Sequence, residues 1–349
     1  MQALDVVIMA AGKGTRMKSS MPKVLHRLAG KALVQHVIDT SRALKARHTI
    51  VITGHGCEQV ESSLLSANQA DKLQFARQMP QLGTGHAVQQ AVPLLPDDGV
   101  VVVLSGDVPL TQAHTLQALL DLCEGKKLAL LTIDFADPTG YGRIVRDSSD
   151  QVNAIVEHKD ANEQQLSIKE VYSGIMAVPA KLLKPWLARL DNHNAQQEFY
   201  LTDVVKFAKA DGVSVVAHKI KDATQVAGVN SPAQLAELER AFQLRQANAF
   251  MADGVRIMDP ARFDVRGNLT CAQDVEIDVN CVFQGDVTLG QGVKVGANCV
   301  IANCAIEAGA VIHPFTHIDG EKLGVSVGED SLIGPFARLR PGAQLGAQV

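Results

Sequence analysis

Aromatic side chains are scarce: 4% of the 349 residues, with one Trp, three Tyr and ten Phe. So few rings cannot build the stacking platforms that hold single-stranded nucleic acid. An excess of positive charge is also missing. Lys and Arg total 33 against 37 Asp and Glu, a net charge of −4. That balance excludes a general nucleic-acid binder held by phosphate contacts. No apolar run reaches the ~18 residues of a membrane span. The N-terminus passes straight into Leu4–Met9 without a basic leader, so no signal peptide is predicted. The six cysteines (Cys57, Cys123, Cys271, Cys281, Cys299 and Cys304) form no C-x-x-C pair. They read as buried thiols in a reducing, cytoplasmic setting, not as a disulfide frame or zinc site.

What is present is a hydrophobic fraction of 46% with 20% charged residues, enough for a sizeable core. At roughly 100–200 residues per domain the length predicts two domains. Glycine separates them: 16 fall in residues 1–260 and 12 in residues 261–349. A change of architecture is expected near residue 255.

The first part alternates strand-like and helix-like segments. Leu4–Met9 is an apolar run, Thr49–Thr53 is β-branched, and Val100–Leu104 and Leu128–Ile133 follow. Between them Val34, Val37, Ile38, Ser41 and Leu44, then Leu116, Leu119, Leu120 and Cys123, keep helical spacing. Such alternation predicts an α/β domain with a mostly parallel sheet covered by helices. Its ligand should lie beyond the carboxyl ends of the strands, in the loops after Met9 and Leu104. Ser231-Pro232 and Asp253-Gly254 bracket a connecting helix of about twenty residues, with Leu235, Leu238, Phe242 and Arg245 along one stripe.

After that helix a six-residue period begins: Val265, Cys271, Ile277, Phe283, Leu289, Val295 and Ile301. Four positions after each leader stands a second small or apolar residue: Leu269, Val275, Cys281, Val287, Val293, Cys299 and Ala305. The phase slips by one at Ile306, runs on through Ile312 and Ile318, breaks at Gly320–Gly324, and resumes at Val327, Ile333, Leu339 and Leu345. Hexads are the signature of a parallel β-helix. The break predicts a loop extruded from one coil. Gly290 and Gly296, just after their leaders, are expected in tight turns.

Several loops carry chemistry. Residues 1–31 hold six Lys or Arg against one acid, Asp5. On a net-negative chain, the small residues and cations of Ala10-Ala11-Gly12-Lys13-Gly14-Thr15-Arg16-Met17 make a local anion site. The Walker pattern is absent, and Met17 stands where the dinucleotide fingerprint needs its third glycine. Ser105-Gly106-Asp107-Val108-Pro109 puts a carboxylate at a strand end, suited to holding Mg²⁺ against a phosphate and equally to a turn. Gln81-Leu82-Gly83-Thr84-Gly85-His86 opens a helix, with Thr84 either a ligand or a plain cap. The glycines around Tyr141 in Asp137–Arg143 suggest close approach by a ligand. Glu157-His158-Lys159 is either a site element or a solvated charge cluster.

Taken in order, A-A-G-K-G-T-R-M, P-K-V-L-H, Q-L-G-T-G-H-A, G-D-V-P-L, D-P-T-G-Y-G-R-I, I-V-E-H-K-D-A, Tyr200-Leu201-Thr202-Asp203, G-V-N and the hexads resemble a known family over the whole chain. This is the bacterial bifunctional N-acetylglucosamine-1-phosphate uridyltransferase / glucosamine-1-phosphate acetyltransferase. The resemblance implies a Rossmann-like nucleotidyltransferase domain over residues 1–229, a linker helix over 230–254 and a left-handed parallel β-helix over 255–349. It implies that Met9, Ala10, Ala11 and Gly12 line the nucleotide, with Gly14 in the phosphate turn. Arg16 and Lys23 would stabilise the phosphates and the leaving pyrophosphate. Gln78, Gly83 and Thr84 would read uracil, and Asp107 and Asn230 would ligate Mg²⁺. Gly142 and Glu157 would contact the amino sugar, and Ser105 and Gly106 complete the loop beside Asp107.

Three positions depart from the family pattern: Met9 replaces Leu, Ser105 stands in place of Tyr, and Tyr172 in place of Asn. The implied reaction joins UTP and N-acetylglucosamine-1-phosphate into UDP-N-acetylglucosamine and pyrophosphate, for cell-wall and lipopolysaccharide precursors. The resemblance also implies a homotrimer built through the β-helix, and it matches Arg340 to the acetyl site. The family's general-base histidine and most acetyl-CoA contacts fall beyond Val349, and the hexads stop without a capping coil. The expectation is therefore a shortened chain that does not acetylate. Two other readings are another sugar-phosphate nucleotidyltransferase with a hexad tail, and a non-catalytic trimeric scaffold. The intact Arg16, Lys23, Asp107 and Asn230 count against the scaffold.

Overall fold

A computed structural model describes residues 3–68 and 73–349. The chain divides into two compact units, Met1–His26 with Ala32–Gln234, and Arg27–Lys31 with Leu235–Val349.

The first unit is a nine-stranded sheet. Its strands are β1 (Leu4–Met9), β2 (His48–Thr53), β3 (Leu73–Arg77), β4 (Val100–Ser105), β5 (Leu128–Asp134), β6 (Arg143–Arg146), β7 (Val152–Val156), β8 (Glu170–Pro179) and β9 (Val215–Ile220). The path runs β9-β5-β8-β4-β1-β2-β3, with β6 on β8 and β7 on β6. β1 pairs in parallel with both β2 and β4, in register Val7↔Ile50 and Val7↔Val103. Flanked on both edges and covered on both faces, it is apolar at nearly every position, as a buried parallel strand must be. The exception is Asp5, fully buried, which accepts from Arg47 Nη2 at 2.7 Å and pairs with His48 Nδ1 at 2.9 Å. Those partners explain how a carboxylate survives inside an apolar strand.

Helices α1 (Leu33–Ala43), α2 (Cys57–Ala67), α3 (Thr84–Ala91) and α4 (Ala113–Cys123) follow β-strands or precede them as the alternation predicts. Two apolar clusters, one on each face of the sheet, fill the layers. The unpredicted feature is β8, which runs antiparallel between β4 and β5. A doubly buried strand has no polar face to betray its direction.

The second unit stacks parallel strands one coil above the next. Ile277 pairs with Val295, Val265 with Phe283, and Leu269 with Val287. Each partner lies one three-hexad coil further along. Leaders Val265, Ile277, Phe283, Leu289, Val295 and Ile301 are buried, as are Val275, Cys281, Val287, Val293 and Cys299. Cys57 and Cys271 are only half-buried, so not every thiol is a core residue. The phase slip falls earlier than expected. Cys304, not Ala305, pairs with Val287 and is buried, because the register shifts just after Ala302. Both residues are small, so the sequence pattern tolerates either. Gly290 and Gly296 lack positive φ. Added Cβ atoms there would meet the next coil's backbone at 2.7 Å (Ala308 N) and 2.8 Å (Pro314 N), so packing rather than turn geometry excludes a side chain. Residues 320–324 leave the coil as expected, with Leu323 at their exposed tip.

The connecting helix α5 covers Pro232–Ala252. Its buried positions are Leu238, Gln243 and Ala247, whereas Phe242 and Arg245 of the predicted stripe are half-buried. Gln243 Nε2 donates to Val265 O at 2.9 Å, and Val265 N donates to Gln243 Oε1 at 2.8 Å. The side-chain amide thus pairs with the first coil as another strand would and satisfies its open edge.

Candidate nucleotide and sugar site

The site is built where β1 and β4 end side by side. Gly106 N donates to Met9 O at 2.8 Å, locking the two following loops together. Beyond Met9, the Gly12–Gly14 loop turns into a short 3-10 segment, Thr15–Met17. Met17 is buried and anchors the loop where a third glycine would have left it loose. Gly14 has φ +61°, and a Cβ there would lie 2.6 Å from Lys23 Cβ. A side chain is thus excluded by both strain and space, and Lys23 runs across the open position.

Lys23 is the centre of the first cavity. Its ammonium is ion-paired with Asp107 Oδ2 and donates to Asn230 Oδ1 at 3.0 Å. Asn230 reaches this place because Val229 N donates to Asp107 O at 2.9 Å, which ties the Gly228-Val229-Asn230 segment to the loop after β4. The cavity that Lys23 lines is also lined by Met9, Ala10, Ala11, Gly12, Gln78, Gly83, Thr84, Ser105 and Asp107. Gln78 is buried, and its Nε2 donates to Gly83 O at 2.9 Å. Gly83 has φ +110°, and a Cβ would stand 2.6 Å from Phe199 O. The Thr84 hydroxyl does not cap α3; it accepts from Leu201 N at 3.1 Å. The plain-cap alternative for Thr84 therefore falls.

A second cavity shares Met9, Thr84 and Ser105 with the first and continues to Gly142, Glu157 and Tyr172. Arg143, almost fully buried, donates to the carbonyls of Pro138 (2.7 Å) and Tyr141 and so shapes the glycine turn. Glu157 is not a solvated cluster member. Burial pushes its carboxyl above the ordinary carboxylate range, the charges of Asp160, Asp203 and Glu198 add to that push, and the Thr202 hydrogen bond opposes it. Thr202 Oγ1 donates to Glu157 Oε1 at 2.9 Å. The Tyr172 hydroxyl is buried without a partner among the described residues. Arg16 is exposed. Burial pushes the Tyr141 phenol up, the charge of Asp107 adds to that push, and the charge of Arg16 opposes it.

Most of the expected residues thus surround two joined cavities. Gly14, Arg16, Gly106 and Asn230 are in neither lining; Gly106 and Asn230 are tied to it through Met9 O and the Lys23 ammonium, and Arg16 is exposed on the glycine loop. Arg340 belongs to the other unit and is exposed after the Arg338–Leu339 strand. Missed by sequence reasoning were Gln81, Glu198, Ser173 and Thr202, all in the linings. Thr202 had a signal in the Tyr200–Asp203 segment and Gln81 in the loop that opens the Thr84 helix, whereas Glu198 and Ser173 had none. No group of three His, Cys, Asp or Glu placed to hold a metal exists among the described residues. The candidate pair, Asp107 and Asn230, supplies hard oxygen donors, and those oxygens already converge on one cation, the Lys23 ammonium. That chemistry fits Mg²⁺.

Residues 6–168 match the MobA-like NTP transferase domain. The structure of UDP-glucose pyrophosphorylase complexed with UDP-glucose is similar in fold at 17% identity and TM-score 0.56, over 69% of this chain and 98% of that one. HddC from Yersinia pseudotuberculosis is similar at 20% identity and TM-score 0.51, over 68% and 99%. The fold and the matched domain are those of the nucleotidyltransferases. Among curated relatives, the bifunctional protein GlmU of Polaromonas naphthalenivorans is 70% identical over 99% of this chain and 74% of its own length. That of Albidiferax ferrireducens is 69% identical over 99% and 76%, and that of Herminiimonas arsenicoxydans 54% over 99% and 75%. The chain belongs to the bifunctional GlmU family. No helix among the described residues is long and apolar enough to cross a membrane.

Proposed function

We propose that the first unit transfers a uridylyl group from UTP to N-acetylglucosamine-1-phosphate, giving UDP-N-acetylglucosamine and pyrophosphate. One observation carries this: Lys23 and Asp107, with Asn230 on the Lys23 ammonium, line a cavity with Gln78 and Gly83, and that cavity shares Met9, Thr84 and Ser105 with a second lined by Gly142 and Glu157. A nucleotide fits the first and a sugar the second, with the phosphates between them. Met9, Ala10, Ala11 and Gly12 line the nucleotide, with Gly14 in the phosphate turn. Asp107 and Asn230 would hold Mg²⁺, which when bound neutralises phosphate charge.

The sugar-phosphate oxygen attacks the α-phosphorus of UTP, the new O–P bond forms, and the bond to pyrophosphate breaks. No covalent enzyme intermediate is required. Arg16 and Lys23 place positive charge where negative charge develops on the transferring and leaving groups. Glu157, braced by Thr202, accepts hydrogen bonds from the sugar and orients the attacking phosphate. Tyr172 and Ser105 sit in the same wall, and Gly106 holds Asp107 to the end of β1.

The coil-stacked unit is best explained as a left-handed β-helix over residues 255–349, preceded by a linker at 230–254 and the transferase domain at 1–229. Through it the chain assembles as a homotrimer. The exposed Phe315, Leu332 and Phe336, with the two Phe rings stacked at 5.2 Å, support an interface there. Arg340 would face an acetyl site on that unit. Six free thiols support a cytoplasmic setting. A pyrophosphate-release assay with UTP, ATP, CTP and dTTP tests the proposal. UTP should be preferred, and a clear preference for another nucleotide would replace it with a different nucleotidyltransferase activity.

A further inference from the structure

The ammonium of Lys23 lies where a metal-binding pair would want its ion. It meets Asp107 Oδ2 and Asn230 Oδ1 together, and those two residues lie 84 and 207 positions away in the chain. The Lys23 side chain is 12% exposed and Asp107 21%, so the pair is poorly screened by water. Open space beside Gly14, where a Cβ would strike the Lys23 stem, lets the stem take this path. A divalent ion bound by Asp107 Oδ2 and Asn230 Oδ1 would sit against the Lys23 ammonium. Their repulsion in a partly buried site is large, and they compete for the same two oxygens.

We propose that Lys23 is the resident counter-cation of the Asp107–Asn230 pair, and that a divalent ion enters only by displacing it. This rests on the Mg²⁺ assignment above and adds a second role for Lys23. In the resting site it balances Asp107 and holds two distant segments together. Once displaced, it is free for the phosphates that arrive with the ion. Metal and nucleotide therefore enter in concert: the ion alone must compete with the lysine, whereas the nucleotide supplies the lysine with new anionic partners.

The test is Mn²⁺ binding to the full chain without nucleotide, followed by electron paramagnetic resonance, for wild type, Lys23→Met, Lys23→Gln and Asp107→Ala. Removing the competing charge should tighten Mn²⁺ binding about tenfold in both neutral variants. In thermal melts both should be less stable than wild type in EDTA and should gain more on adding Mn²⁺. Unchanged or weaker Mn²⁺ binding in both, with binding lost in Asp107→Ala, would overturn the counter-cation role and mark Lys23 as a structural tether. Full Mn²⁺ binding retained by Asp107→Ala would instead remove the metal assignment itself.

Discussion

In the first unit apolar residues cover both faces of one sheet, and the polar groups that matter gather at one end of it. In the second, each strand contributes two or so buried residues, and the same pattern recurs every coil. The first arrangement leaves a functional edge: Met9 and Ser105 end adjacent strands, so two loops share one cavity mouth. The second leaves no such edge. Its core is a ladder such as Val265, Phe283 and Ile301, whose members differ only in size. Substitutions should therefore divide sharply, those in the ladder changing stability and those at the strand ends changing rate.

The largest expected effect is in the ladder. Phe283 is buried and packs against Phe263 at 5.8 Å. Phe283→Ala should cost about 3–5 kcal/mol in calorimetry of the coil unit, with kcat for uridylyl transfer within about twofold of wild type. A matching loss of rate would break the division. Arg16→Ala should do the converse, lowering kcat roughly 100- to 1000-fold with an unchanged melt. Thr202→Val removes one hydrogen bond to the Glu157 carboxylate. It should raise KM for the sugar phosphate about tenfold and leave KM for UTP alone; equal changes in both would detach Glu157 from the sugar.

The smallest effect concerns Glu157 itself. Its raised pKa means that the fold favours the protonated form. Above that pKa the ionised carboxylate reduces stability; below the unfolded value of about 4.3 nothing is lost. Glu157→Gln should raise Tm by roughly 1–3 °C at pH 7, and the gain should vanish in melts near pH 4. A gain independent of pH would contradict the burial argument.

Much of this division was readable in the residues, for physical reasons. Hexad leaders must be apolar in every coil, so their period survives in the sequence. The slip was misplaced because Cys304 and Ala305 are both small enough to face inward. Strands such as Val100–Ser105 were recognisable by their apolar content, but the antiparallel direction of Glu170–Pro179 left no trace there. The glycine loop and Asp107 were found because a phosphate site needs small residues and a strand-end carboxylate. Thr202 on Glu157, and Lys23 against Asn230, depend on tertiary contacts between distant segments. No local pattern encodes such pairs. Gln243 escaped because its amide acts as a surrogate strand, a role that helical periodicity does not express.

The strand-end loops of the first unit form the proposed uridylyl-transfer site. Pyrophosphate release from UTP and N-acetylglucosamine-1-phosphate, measured for wild type beside Asp107→Ala, decides it. Wild type should turn over in the presence of Mg²⁺, and Asp107→Ala should lose the activity while keeping a cooperative melt. Near-normal turnover by Asp107→Ala would contradict the assignment.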